Sequence, residues 1–199
     1  MLSLAALLIA AAAFSQTAFG VKAGPNFASY TLKSGGTKST SDLKTNVALG
    51  LFANIPLATD FYFQPNLMYE GKGGNAKSSD QKTRLSYLTL PLDLMYAPSL
   101  GSDKVFIGFG PYLGVGLSGK TKSTTGSGTT VSVDPFTQSD GLKRFDAGAD
   151  LEAGYQFSQG FQLGLNAEMG LLNLQQGGNS DNAFHNTSFG VFAGYLFGK

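Results

Sequence analysis

Between Phe145 and Leu171 the chain alternates without a break. In one arm Phe145, Ala147, Ala149, Leu151, Ala153, Tyr155 and Phe157 are apolar; in the next, Phe161, Leu163, Leu165, Ala167, Met169 and Leu171 are. Every even position of the two arms is Gly, Asn, Gln, Asp or Glu. A strand sends successive side chains to opposite faces, so each arm reads as a strand with one apolar and one polar face. Ser158-Gln159-Gly160 leaves room only for a tight hairpin turn. Each arm is about 11 residues, enough to cross a bilayer when tilted. The stretch predicts one hairpin of a transmembrane β-barrel.

The same alternation recurs along the chain. Apolar positions repeat over 19–27, 47–55, 61–69, 88–96, 105–117 and 189–197. Polar stretches at 31–43, 71–83, 119–143 and 172–185 predict loops, and 56–60, 97–104 and 158–160 predict short turns. The expectation is therefore all-β: an eight-stranded antiparallel up-and-down transmembrane β-barrel. Short turns alternate with long loops, the asymmetry of bacterial outer-membrane barrels, and this predicts periplasmic turns with both termini beside them. Phe19, Phe61, Tyr96, Tyr155, Phe157, Phe161, Tyr195 and Phe197 fall near the short-turn rim, where an interfacial aromatic girdle belongs. Ahead of the strands, Leu2–Phe14 followed by Ser15-Gln16-Thr17-Ala18 predicts a secretory signal peptide over residues 1–16, with the barrel domain over 17–199.

Composition sharpens this picture. Charged residues are only 14% of the chain, against about 25% in soluble domains. Yet no internal apolar run approaches the roughly 20 residues of a membrane helix. A barrel reconciles the two by spreading its apolar surface over alternate positions of many strands. Within the predicted strands Lys22, Glu70, Lys72, Asp93, Asp146, Asp150, Glu152 and Glu168 all take the polar parity. A basic residue facing lipid at mid-bilayer costs roughly 2–4 kcal/mol, so an uncharged outer face is what a bilayer enforces. A lipocalin-type barrel would place charge outside and apolar residues within. A net charge of +1 with no basic block leaves no nucleic-acid footprint. Cysteine is absent, which removes disulfide and thiolate chemistry.

Four short motifs carry a family resemblance: Ala23-Gly24-Pro25-Asn26-Phe27, Phe61-Tyr62-Phe63-Gln64-Pro65, Ser86-Tyr87-Leu88-Thr89-Leu90-Pro91-Leu92 and Gly108-Phe109-Gly110-Pro111-Tyr112. With them the chain, from about Thr17 to Phe197, resembles the PorT-like outer-membrane β-barrel proteins of Bacteroidota. The resemblance implies an outer-membrane location and fold. Through the founding member of that family it also implies a connection with protein secretion across the outer membrane. Such barrels usually end on an aromatic residue, whereas here Gly198-Lys199 follow Phe197.

Candidate chemistry is sparse. Gly114-Val115-Gly116-Leu117-Ser118-Gly119-Lys120-Thr121 satisfies the P-loop pattern, but a P-loop must open a helix, and the Ser/Thr/Gly-rich residues that follow predict the start of a loop. Frequent glycines on the polar parity, beside Phe52, Tyr62, Tyr112 and Phe192, predict a lumen filled with side chains rather than an open pore. The acidic lumen is the sharpest local feature. Centring the hairpin on Gln159 sets Asp150 opposite Glu168, like charges that call for a proton, a cation or a neutralising partner. The candidate charge cluster is Lys22, Asp150, Glu152 and Glu168, with Lys72 or Arg84 as further neutralising cations. His185, the single histidine, lies near Ser188 and Asp181 and would carry the weight of a lipid-modifying enzyme. No catalytic, cofactor-binding or metal-ligating set is assigned and no cofactor is expected.

The sequence thus predicts a non-catalytic outer-membrane barrel with a filled polar lumen and a structural or accessory role, with protein secretion as the candidate setting. A lipid-modifying enzyme and a narrow ion conductor are the alternatives. The expected partners are outer-membrane lipid and other outer-membrane or periplasmic proteins, with no nucleic acid. Loop 119–143 would be the contact surface, and Val131 to Phe136 its apolar portion.

Overall fold

The computed structural model describes residues 17–77, 81–124 and 129–198, so the predicted signal peptide lies outside the described residues. Eight long strands form one antiparallel ring: β1 (Ala18–Ser34), β3 (Lys44–Ala58), β4 (Phe61–Asn75), β5 (Lys82–Tyr96), β7 (Asp103–Thr124), β9 (Phe145–Gln156), β10 (Phe161–Gly170) and β11 (Ala183–Phe197). Each pairs with its neighbour in the chain, and β11 returns to β1, from Phe19 opposite Phe197 to Lys33 opposite Ala183. The ring is closed, which removes the exposed sheet edges that would otherwise invite aggregation.

Three short strands are appended: β2 (Thr37–Thr40) on β1, β6 (Ser99–Leu100) on β7, and β8 (Thr130–Val133) on β7. They correct the predicted loops. The stretch 31–43 is a hairpin of β1 and β2, most of 71–83 belongs to β4 and β5, and the start of 119–143 continues β7 to Thr124. Residues in these extensions are mostly polar whichever way they face, so they carry no alternation to read. A strand of 22 residues such as β7 is about twice what a bilayer needs, and its last residues reach beyond the apolar band.

Alternation sets the two faces. Phe19, Leu51, Leu67, Leu94, Ile107, Phe109, Leu151, Leu165 and Val191 are exposed on the outer wall. Their lumen-facing neighbours Phe52, Asn66, Asp93, Glu152 and Phe192 are buried. At the short-turn end, rings pack along the wall: Phe61 lies tilted against Tyr96 at 4.9 Å, and Tyr155 with Phe157 and Tyr195 with Phe197 meet edge-on at 5.0 and 5.1 Å. The β9–β10 turn uses Gly160 at φ +93°, a conformation that side-chain-bearing residues avoid. Asp103, at the start of β7, accepts hydrogen bonds from Tyr155 Oη and the Ser158 amide, both at 2.7 Å, and locks this turn to its neighbour.

The other end is capped by its own loops. Phe136, Leu142 and Leu174 fold inward onto Tyr30, Leu85, Tyr87 and Phe184 to form an apolar plug. Tyr30 stacks on Phe184 at 4.8 Å and Tyr87 meets Phe136 edge-on at 5.9 Å. The Lys143 amide donates to Leu174 O at 2.6 Å and joins the two longest loops over the mouth. The apolar residues of loop 119–143 therefore divide. Val131 and Val133 are exposed, but Phe136 is buried in the plug and is no contact residue.

Candidate functional site

Below the plug the lumen is filled in layers. Tyr87 and Tyr112 are fully buried, and their rings flank the Lys72 ammonium at 5.4 and 4.5 Å from the centroids. Lys72 pairs with Glu168 and lies 3.7 Å from Glu70. One layer further toward the short turns Lys22 pairs with Glu152, and its ammonium lies 5.0 Å from the Phe192 ring. Gln64 donates to Glu152 Oε1 at 3.2 Å, and Asn66 donates to Asp93 Oδ2 at 2.9 Å. Asn186 donates to Asp146 Oδ2 at 3.2 Å on the plug side. Phe106, Phe192 and Met95 close the lumen below.

Glycines make these layers possible, since a Cβ at Gly164 would run into the Phe192 ring and one at Gly20 into Phe52. Between the two lysine layers the remaining cavity, lined by Lys22, Glu70, Asp150, Glu152 and Glu168 among others, measures about 20 Å³, the space of about one water.

The predicted cluster members thus share one cavity. The register sets Asp150 opposite Glu168, and Glu152 lies one layer nearer the short turns. Lys22 holds Glu152 and Lys72 holds Glu168, while Asp150 has no ammonium of its own among the described residues. Arg84 is corrected: its side chain is on the outer face of β5 and takes no part in the lumen. Glu70, Asp93 and Asp146, which alternation places on the lumen parity without linking them to the cluster, are buried with it. Their approach depends on the stagger between strands that are not neighbours in the chain. Among the described residues, six carboxyl groups and two ammoniums are buried together here.

The alternative site does not assemble. His185 and Ser188 have opposite parity on β11; Ser188 is buried in the lumen, and Asp181 sits in the loop 3.6 Å from Lys33. The P-loop-like stretch Gly114–Thr121 is strand throughout, not the loop predicted from Gly119 onward. Among the described residues no group of three His, Cys, Asp or Glu side chains is placed to hold a metal ion.

The family model described as outer membrane protein beta-barrel domain matches residues 14–176. The chain belongs to this family. As a member of it, the protein is a bacterial outer-membrane β-barrel, embedded in lipid. Three solved structures are similar to the chain. The outer membrane enzyme PagL is 16% identical, with 85% of this chain and 98% of that one aligned, at a TM-score of 0.50. OprG from Pseudomonas aeruginosa is 14% identical over 92% of this chain and 96% of that one, at 0.49. Ail, the attachment invasion locus protein of Yersinia pestis, is 14% identical over 90% and 99%, at 0.45. At 16% identity the likeness to PagL is one of fold alone. A search of curated proteins finds no sequence match.

Proposed function

We propose that this outer-membrane barrel is non-catalytic and non-conducting, and that it works through its long-loop end rather than through its lumen. In this reading residues 1–16 are a signal peptide, both termini and the short turns are periplasmic, and the long loops face outward. The role is structural or accessory, with a protein-secretion assembly as its setting, as the resemblance to PorT-like barrels of Bacteroidota suggests.

One observation carries the reading. The lumen is filled from the apolar plug through the two lysine layers, and the cavity left between them has room for about one water. A pore-forming or substrate-binding barrel needs a passage or a pocket, and a filled interior of this size offers neither. Partners would then meet the loops, where Val131 and Val133 are the exposed apolar residues of the β7–β8 hairpin.

Two measurements test it. Purified barrel in planar bilayers should give no conductance above the lipid baseline; a stable cation-selective conductance would overturn the closed-lumen reading. Cross-linking in native outer membranes should capture a defined partner set that is lost when residues 125–133 are replaced by a short Gly/Ser turn. The same partners with and without the hairpin would move the contact elsewhere.

A further inference from the structure

A one-residue irregularity in β7 rearranges the charges above the lipid band. Opposite β5 the register runs Tyr87 with Gly116, then Ser86 with Ser118, so Leu117 is an extra residue. Such a bulge switches which parity faces out. Below it Leu113, Val115 and Leu117 take the outer face; above it Lys120 and Lys122 do, while Thr121 turns inward to meet Thr83, hydroxyl to hydroxyl, at 3.3 Å. Arg144 holds the bulge in place, donating from Nη1 to Gly116 O at 2.9 Å and Leu117 O at 3.2 Å. Strict alternation would have sent both lysines to the lumen side.

The result is a square of cations. Arg84 lies directly opposite Lys120 and Lys82 directly opposite Lys122, all four exposed on the outer wall. Like charges directly opposite destabilise a sheet. None of the four side chains makes an ion pair or hydrogen bond with another described residue. Among the described residues, the paired positions bring no carboxylate: Gly73 and Asn75 on the β4 side, Ser132 on the β8 side. Asp134, just beyond β8, accepts from the Phe136 amide at 2.9 Å. Elsewhere on the same rim the pattern differs, with Lys33 meeting Asp181 and Lys77 meeting Asp42. On the lumen side of β3, above its apolar band, partial burial and then the nearby Arg84 guanidinium lower Lys44 to about 8.

Position points to the kind of partner. The square continues the lipid-facing row of β5, Leu94, Leu90 and Leu88, by way of Ser86. Arg84 is four residues past Leu88, about 10 Å higher for a tilted strand, which is headgroup depth. The four side chains and Thr124 and Thr130 line an open groove of about 420 Å³, large enough for a phosphorylated sugar headgroup. Ammonium and guanidinium groups at this spacing match clustered phosphate oxygens, with Arg84 able to bind in a fork.

We infer that Lys82, Arg84, Lys120 and Lys122 form a binding site for the phosphate groups of an outer-leaflet glycolipid, which the barrel holds against its β5–β7 wall. The leaflet assignment rests on the outward orientation of the long loops proposed above; the phosphate site itself does not.

The test uses the whole barrel in phosphatidylcholine nanodiscs doped with diphosphoryl lipid A or with its dephosphorylated counterpart, and native mass spectrometry reads the retained lipid. The wild type should retain the diphosphorylated form selectively. Each replacement by Gln should weaken retention by about fivefold. The combined variant Lys82→Gln, Arg84→Gln, Lys120→Gln and Lys122→Gln should abolish selectivity, while Lys38→Gln, elsewhere on the rim, should not change it. Heat-modifiable gel mobility confirms that each variant is folded. Equal retention of both lipids by the wild type, or unchanged selectivity in the combined variant, would overturn the site. Displacement by millimolar inorganic phosphate, or binding confined to a soluble sulfated polysaccharide, would overturn its assignment to lipid. Labelling of Thr129→Cys on intact cells by a membrane-impermeant maleimide tests the orientation separately. A failure there leaves the nanodisc result standing and removes only the leaflet.

Discussion

Two sets of cations in this barrel obey opposite rules. Lys22 and Lys72 lie inside, each against a carboxylate of a distant strand and each beside aromatic faces. Lys82, Arg84, Lys120 and Lys122 stand outside in a square with no carboxylate among them. Taking a charge out of water costs several kcal/mol unless a partner is in place, so the lumen must contain its own counter-charges. A charge at the lipid–water boundary keeps its hydration and can leave its partner to be supplied from outside. The difference separates charges that build the fold from charges that wait for something.

The largest effect that would sharpen this contrast is Lys72→Met. It leaves Glu70 and Glu168 buried without their ammonium, and urea unfolding in lipid should show a loss of about 3–5 kcal/mol. A change below about 1 kcal/mol would mean that water reaches this layer and that the inside is not distinct from the rim. Phe136→Ala should cost somewhat less, about 3 kcal/mol, because it empties part of the plug, and it should speed hydrogen exchange at the mouth ends of β5 and β7. Replacing both partners, Lys22→Met with Glu152→Leu, should return stability to within about 1 kcal/mol of the parent, since an apolar pair of similar volume needs no counter-charge. The smallest effect belongs to the square. Arg84→Gln in phosphate-free detergent should change stability by no more than about 0.5 kcal/mol, in the stabilising direction if any, because it relieves repulsion from Lys120. A larger loss would make Arg84 a structural residue and erase the comparison.

Much of the barrel was readable in the order of residues. The alternation from Phe145 to Leu171 yields β9, β10 and their turn, and the tight Ser158-Gln159-Gly160 connection alone sets Asp150 opposite Glu168. A lipid face admits no charge, so every charged residue in the spanning segments could be assigned inward. What escaped has physical reasons too. The extensions above the membrane carry no apolar stripe, so β2, β8 and the far end of β7 read as loops. Leu117 looks like one more outward leucine, and only the ladder to β5 reveals it as an insertion that turns Lys120 and Lys122 over. Phe136 and Leu174 sit in polar company, and their burial follows from how two loops fold across the mouth. The approach of Lys72 to Glu168 joins residues 96 apart in the chain, and no local spacing encodes it.

The seam between β1 and β11 has a consequence for how the protein is made. The first strand to emerge must wait for the last, because the opposite edge of β1 is satisfied only when Phe189–Phe197 arrives. Lys22 waits with it, since its carboxylate is 130 residues downstream. Until then β1 is an open edge and Lys22 an unpaired ammonium, so no partial barrel has a stable resting state, and long-range pairing of this kind is slow. Assembly is therefore all or nothing. The chain must be escorted unfolded and zipped shut in one event at its destination, and a break in the last strand should undo the first.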